Sequence, residues 1–150
     1  MITSTVTTWI LVIFGAVTIL PLAIAQLSFL FQPKSRKAKD ILIGKDEEWR
    51  NNTHFRSAYG LAWADWILLV PLVLAGSIGV ILGYVWGYVL WASSGIISVY
   101  VNIVLWIMEK EYVYPSLGPL KYYTYYWGFF IYWGIAAAVY SVLRLSNIQF

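Results

Sequence analysis

A chain of 150 residues that is 61% hydrophobic and 11% charged differs sharply from an ordinary soluble domain, where about 25% of residues carry charge. It has no cysteine and one histidine, His54. That excludes disulfides, thiolate metal sites, iron–sulfur clusters and a haem held by two histidines of this chain. The net charge of +3 is gathered in one loop and reads as topology information, with no nucleic-acid signal.

Charge is missing from residues 1–33, 66–108 and 122–143. A membrane-spanning helix needs about 20 apolar residues, so these blocks hold four spans. The runs are continuous, as in Ile67-Leu68-Leu69-Val70, whereas the strands of a membrane barrel alternate apolar and polar residues. The expected fold is an all-α integral membrane protein of one domain, residues 1–150, built as a four-transmembrane-helix bundle.

The first span is expected at residues 9–31. No basic residue precedes it and the apolar run exceeds a signal peptide's core, so it reads as a retained helix with a kink at Pro21. Residues 32–60 form the polar loop and hold seven of the ten basic residues. The positive-inside rule places this loop in the cytoplasm and both termini outside; Arg144, a lone basic residue near the tail, sits awkwardly with that orientation. Asp46, Glu47 and Glu48 look like a helix start, with the helix running along the surface or into the second span. Asn51-Asn52-Thr53 matches a glycosylation acceptor, which a cytoplasmic loop does not use.

The second and third spans are expected at residues 61–83 and 88–108, joined by a short hairpin rich in Trp and Tyr. Ala75, Gly79, Gly83 and Gly87 recur at every fourth position with Gly76 beside them. Small residues at this spacing let helix backbones approach closely in lipid. The partner is either the third span or a second copy, so a homo-oligomer or a larger membrane complex is expected. The fourth span is expected at residues 123–143, after a second loop containing Pro115 and Pro119. It opens in an aromatic run, nine of twelve residues from Tyr122 to Trp133. Such a run anchors a helix at the interface and packs against neighbours; it could also line a pocket for an apolar ligand.

Asp65 is the one charged residue in the stretch from Leu61 to Met108. A carboxylate there is costly unless it is paired, protonated or used. Counting 100° per residue puts it on the face of Gly76 and Gly83, pointing into the bundle. Pro71 leaves the carbonyl of Ile67 without its helical donor. Counting depth from the hairpin brings Glu109 level with Asp65, with Gln26 on the first span and Tyr125 and Tyr126 on the fourth at similar depth. Gly95, Ser98, Asn102 and Glu109 form a polar stripe on the third span, flanked by Trp91 and Trp106. The candidate ligand-binding set is therefore Gln26, Asp65, Asn102, Glu109, Tyr125, Tyr126 and Trp127. Two carboxylates held close would not both ionise, which suits a proton or cation site. Pairing of Asp65 with Lys110 or Arg56 would instead make it a structural strut. His54 is too far along a continuous helix to touch Asp65.

No nucleotide-binding, metalloprotease or serine-nucleophile motif is present, no metal site is expected and no cofactor is indicated. The leading functional expectation is a non-enzymatic membrane protein that binds or transports a small ligand or ion through Asp65. The alternatives are an accessory subunit of a larger membrane complex and, least expected, a small membrane enzyme acting on a lipid or isoprenoid.

Overall fold

In lipid every backbone N–H and C=O must be satisfied within the chain, and the uncharged blocks meet that demand as helices. A computed structural model describes residues 2–43, 48–108 and 120–148, with the backbone alone for 120–126. Among the described residues there are five helices and no strand. These are α1 (Val6–Phe31), α2 (Arg36–Leu42), α3 (Asn52–Ile81), α4 (Val85–Met108) and α5 (Leu120–Leu145). Four of them, α1, α3, α4 and α5, are long and apolar enough to cross a membrane. Their large apolar side chains are widely exposed, among them Ile13, Ile24, Ile67, Ile78, Ile96 and Val142. Such a surface is costly in water and ordinary against lipid tails. The chain divides into two compact units, residues 19–71 and residues 1–18 with 72–150.

In the larger unit, α4 and α5 pack along one another. The contact is close because neither helix has a side chain where they cross. A Cβ on Gly95 would lie 2.5 Å from the Gly134 carbonyl oxygen, and one on Gly134 would lie 2.6 Å from that of Gly95. The hairpin between α3 and α4 uses the same device. Gly79 and Gly87 face each other backbone to backbone, and Gly76 accepts the Trp91 ring. At Gly76, Gly79 and Gly87 the small-residue ladder is thus filled within the chain.

Gly83 has a different role from its neighbours in that ladder. The helix ends at Ile81, and Gly83 sits beyond it at φ 73°. The Tyr84 N–H bonds to the Gly79 carbonyl at 2.8 Å and the Gly83 N–H to that of Val80 at 3.1 Å. This left-handed stop satisfies the last carbonyls and favours glycine because it has no Cβ. The expected span of 61–83 therefore runs two residues too far at this end.

The start of α1 is closed by a reciprocal pair. The Thr8 N–H reaches the Thr5 hydroxyl at 3.4 Å, and the Thr5 N–H reaches the Thr8 hydroxyl at 3.2 Å. Both hydroxyls also meet Tyr140 Oη, Thr8 at 2.6 Å and Thr5 at 2.8 Å. Tyr140→Phe is expected to lower stability by about 1 kcal/mol, the usual scale for interhelical hydrogen bonds in membranes, as read by reversible denaturation in mixed micelles. The Trp133 indole N–H donates to the Leu11 carbonyl at 3.1 Å over Gly15, where a Cβ would strike the ring. Arg144 is buried. Its guanidinium donates to the Thr3 carbonyl and lies 5.9 Å from the Tyr140 ring centre. It packs as part of this unit.

In the smaller unit, α2 is capped by Ser35, whose hydroxyl accepts from the Ala38 N–H at 3.1 Å. The start of α3 is capped by Asn51, which accepts from the His54 N–H at 2.9 Å. The helix start expected at Asp46 to Glu48 is corrected here. Glu48 precedes the helix, which begins at Asn52, while Asp46 and Glu47 lie outside the described residues. Asn51 serves as an acceptor cap, a strong start signal.

Candidate functional site

The site begins with two buried stripes. On α1, Ala23, Gln26 and Phe29 are buried at helical spacing, and on α3 so are Ala62, Asp65 and Leu69. Each stripe carries one polar residue, and the two meet. Gln26 Nε2 donates to Asp65 Oδ2 at 2.6 Å. Both residues are over nine-tenths buried. Gln26 is uncharged, so the bond orients the carboxyl without neutralising it. Among the described residues no cationic side chain lies within ion-pair distance of Asp65; Arg56, one of its two expected partners, makes no such pair. The other, Lys110, lies outside the described residues, as does Glu109.

The backbone at Asp65 is irregular. Asp65–Leu69 forms a π turn, in which the Val70 N–H bonds to the Asp65 carbonyl five residues back. Pro71 supplies the cause. In a regular helix its ring would crowd the Ile67 carbonyl, and it has no N–H to offer it. A widened turn just ahead of the proline relieves that crowding. The turn inserts one extra residue, so buried positions step from Leu69 directly to Val70 and on to Val73. A count of 100° per residue does not carry through it, and the alignment of Asp65 with Gly76 and Gly83 loses its basis. Beside the carboxyl, the Trp66 indole N–H donates to the Ala23 carbonyl at 3.1 Å, a second tie between the same two helices.

One helical turn toward the polar loop, Phe29, Ala38 and Ala62 form a small core. Trp49 stacks on Phe29 at 5.7 Å, and Phe55 and Tyr59 meet the same ring edge-on at 5.7 and 5.6 Å. His54 is buried against Trp49, ring centres 5.0 Å apart. Lys39 closes the loop on this cluster through Glu48 at 2.8 Å and Asp40 at 3.4 Å. The hydrogen bond that Lys39 Nζ donates to the Glu48 carboxylate raises the ammonium above its ordinary value, so it stays charged at physiological pH.

The other expected site residues are placed as follows. Asn102 is buried on α4 and turns back on its own helix, donating to the Ser98 carbonyl at 2.7 Å. Trp106, expected beside it, is exposed. Tyr125 and Tyr126 lie in α5, their side chains outside the described residues. Trp127 is half-buried with its ring 5.9 Å from that of Phe130. Of the aromatic run, Tyr132 lines a shallow apolar groove of about 400 Å³ with Leu11, Ile135 and Val139. Of the candidate set, the contact given by the structure is that of Gln26 with Asp65. No cluster of His, Asp or Glu suited to a metal occurs among the described residues.

Gln26→Leu is expected to cost about 1–3 kcal/mol, because it leaves a buried carboxyl without its donor. In an Asp65→Leu background that cost should largely vanish, and a double-mutant cycle by reversible unfolding measures the difference. Comparison with known protein families, curated proteins and solved structures finds no match.

Proposed function

We propose that the chain is a multi-pass membrane protein that binds or moves a small ligand or ion, most simply a proton or monovalent cation, at the Asp65 carboxyl. One observation supports the reading. Asp65 is buried within a span-length helix, is oriented by an uncharged partner, and has no cationic neighbour among the described residues. A carboxylate so placed needs a neutralising species, and a proton or cation from solution supplies it. The π turn adds support, since such turns recur at functional positions in helices.

The orientation follows from the seven basic residues of loop 32–60, which put that loop in the cytoplasm and both chain ends opposite. Counted from Leu61, where the apolar run begins, Asp65 then lies about 6 Å inside the cytoplasmic end of that run, at 1.5 Å per residue. The aromatic cluster around Phe29 stands between it and the loop. The test is flux of protons or monovalent cations into liposomes holding the purified chain, compared with Asp65→Asn. Equal flux from the two proteins overturns the proposal.

A further inference from the structure

Above the aromatic cluster the loop forms a cavity of about 550 Å³, lined by Lys34, Arg36, Lys39, Trp49, Asn52 and Phe55 among others. Among the described residues, three cations face it against one carboxylate, Glu48, whose side chain is largely solvent-exposed. Lys39 is engaged with Glu48 and Asp40. Lys34 and Arg36 make no ion pair among the described residues. The opposite wall is apolar and held in place, because Trp49 and Phe55 pack on Phe29 and on each other. A surplus of positive charge beside fixed rings suits an anion with an apolar or glycerol-like body. Position narrows the class. Lys34 and Arg36 follow Phe31, the last residue of a 26-residue span-length helix, by three and five residues. That puts the cavity within about 10 Å of the hydrocarbon edge, at the depth of lipid phosphates.

We infer that this cavity binds a phosphate-bearing ligand, the headgroup of an anionic phospholipid, with Lys34 and Arg36 on the phosphate and Trp49 against the glycerol region. The planar guanidinium of Arg36 suits two phosphate oxygens at once, and Lys34 adds a point charge. The site does not depend on the role of Asp65. Its alternative is a loop whose charges act only as a diffuse attraction to the membrane, in which case each basic residue counts alike.

The experiment is native mass spectrometry of the full chain in detergent, titrated in separate arms with short-chain phosphatidylglycerol, short-chain phosphatidylcholine and inorganic phosphate. The parent should bind phosphatidylglycerol well above phosphatidylcholine. Lys34→Gln with Arg36→Gln should weaken that binding about twenty-five-fold, at about fivefold for each charge near a membrane surface. Lys37→Gln, the loss of one positive charge at an exposed residue that does not line this cavity, should change it less than twofold. Glu48→Gln should tighten binding by removing the opposing carboxylate. Saturable binding of inorganic phosphate without lipid preference, lost in the double variant, would keep the site and place its ligand in solution. The inference fails if the double variant binds within twofold of the parent, or if Lys37→Gln weakens binding as much per charge.

Discussion

Asp65→Asn is expected to reduce proton- or cation-coupled flux to the leak of protein-free liposomes, while its unfolding free energy stays within about 1 kcal/mol of the parent, inside the ordinary range for an isosteric change. The amide has the shape of the carboxyl, and its oxygen can still accept from Gln26 Nε2, now 2.6 Å from Oδ2. What it loses is the capacity to take up a proton or ligate a cation. Asp65→Leu should behave differently. It removes the acceptor and leaves the buried Gln26 amide unsatisfied, at a cost of about 1–3 kcal/mol. Asp65→Glu keeps the chemistry and displaces it by one methylene, so it should retain part of the flux. This three-way pattern separates a site from a strut. A strut loses stability with Asn and Leu alike and shows no flux to lose, and its cation would then be sought at Lys110.

The four spans were legible because run length alone identifies them, and all four appear as helices of adequate length. Their ends were less legible. The second was expected from residue 61, with a loop helix either on the surface or running into it, and the continuous helix α3 begins at Asn52. Arg56, Ser57 and His54 interrupt the apolar run without interrupting the backbone, and the Asn51 cap was the available signal. The meeting of Gln26 with Asp65 followed from depth, since both lie a few residues inside the loop end of their spans. Asn102 was grouped with them because it shares a polar stripe with Glu109 on the third span, but its amide N–H found an acceptor one turn back on its own helix, a local option always open to Asn. The aromatic core was hidden because Phe29, Trp49 and Phe55 are spread over two helices and a loop. The π turn was half visible. Pro71 announced a disturbed carbonyl ladder, but whether a helix answers with a kink or an extra residue depends on packing that sequence alone does not state.

Gly87→Ala and Gly95→Ala are each expected to cost about 3 kcal/mol, the upper part of the overpacking range, or to prevent folding, whereas Gly60→Ala should be neutral or stabilising by about 0.5–1 kcal/mol. All three glycines are helical, so intrinsic propensity favours Ala at each. The difference lies in what a methyl would meet. At Gly87 it would enter the backbone of Gly79 and Val80, and at Gly95 it would stop 2.5 Å from the Gly134 carbonyl oxygen. A flexible side chain could turn aside; a helix backbone can yield only by separating along its length, which forfeits the neighbouring contacts of Trp91 with Gly76 and of Val99 with Gly134. At Gly60 nothing lies within 4 Å, so Ala only restricts the unfolded chain. Denaturation of the three variants in one micelle system measures the contrast directly. Equal, small effects at Gly87 and Gly60 would mean that α3 and α4 do not cross where these glycines place them. The ladder would then be open to a second copy, the partner that the intrachain crossing displaces.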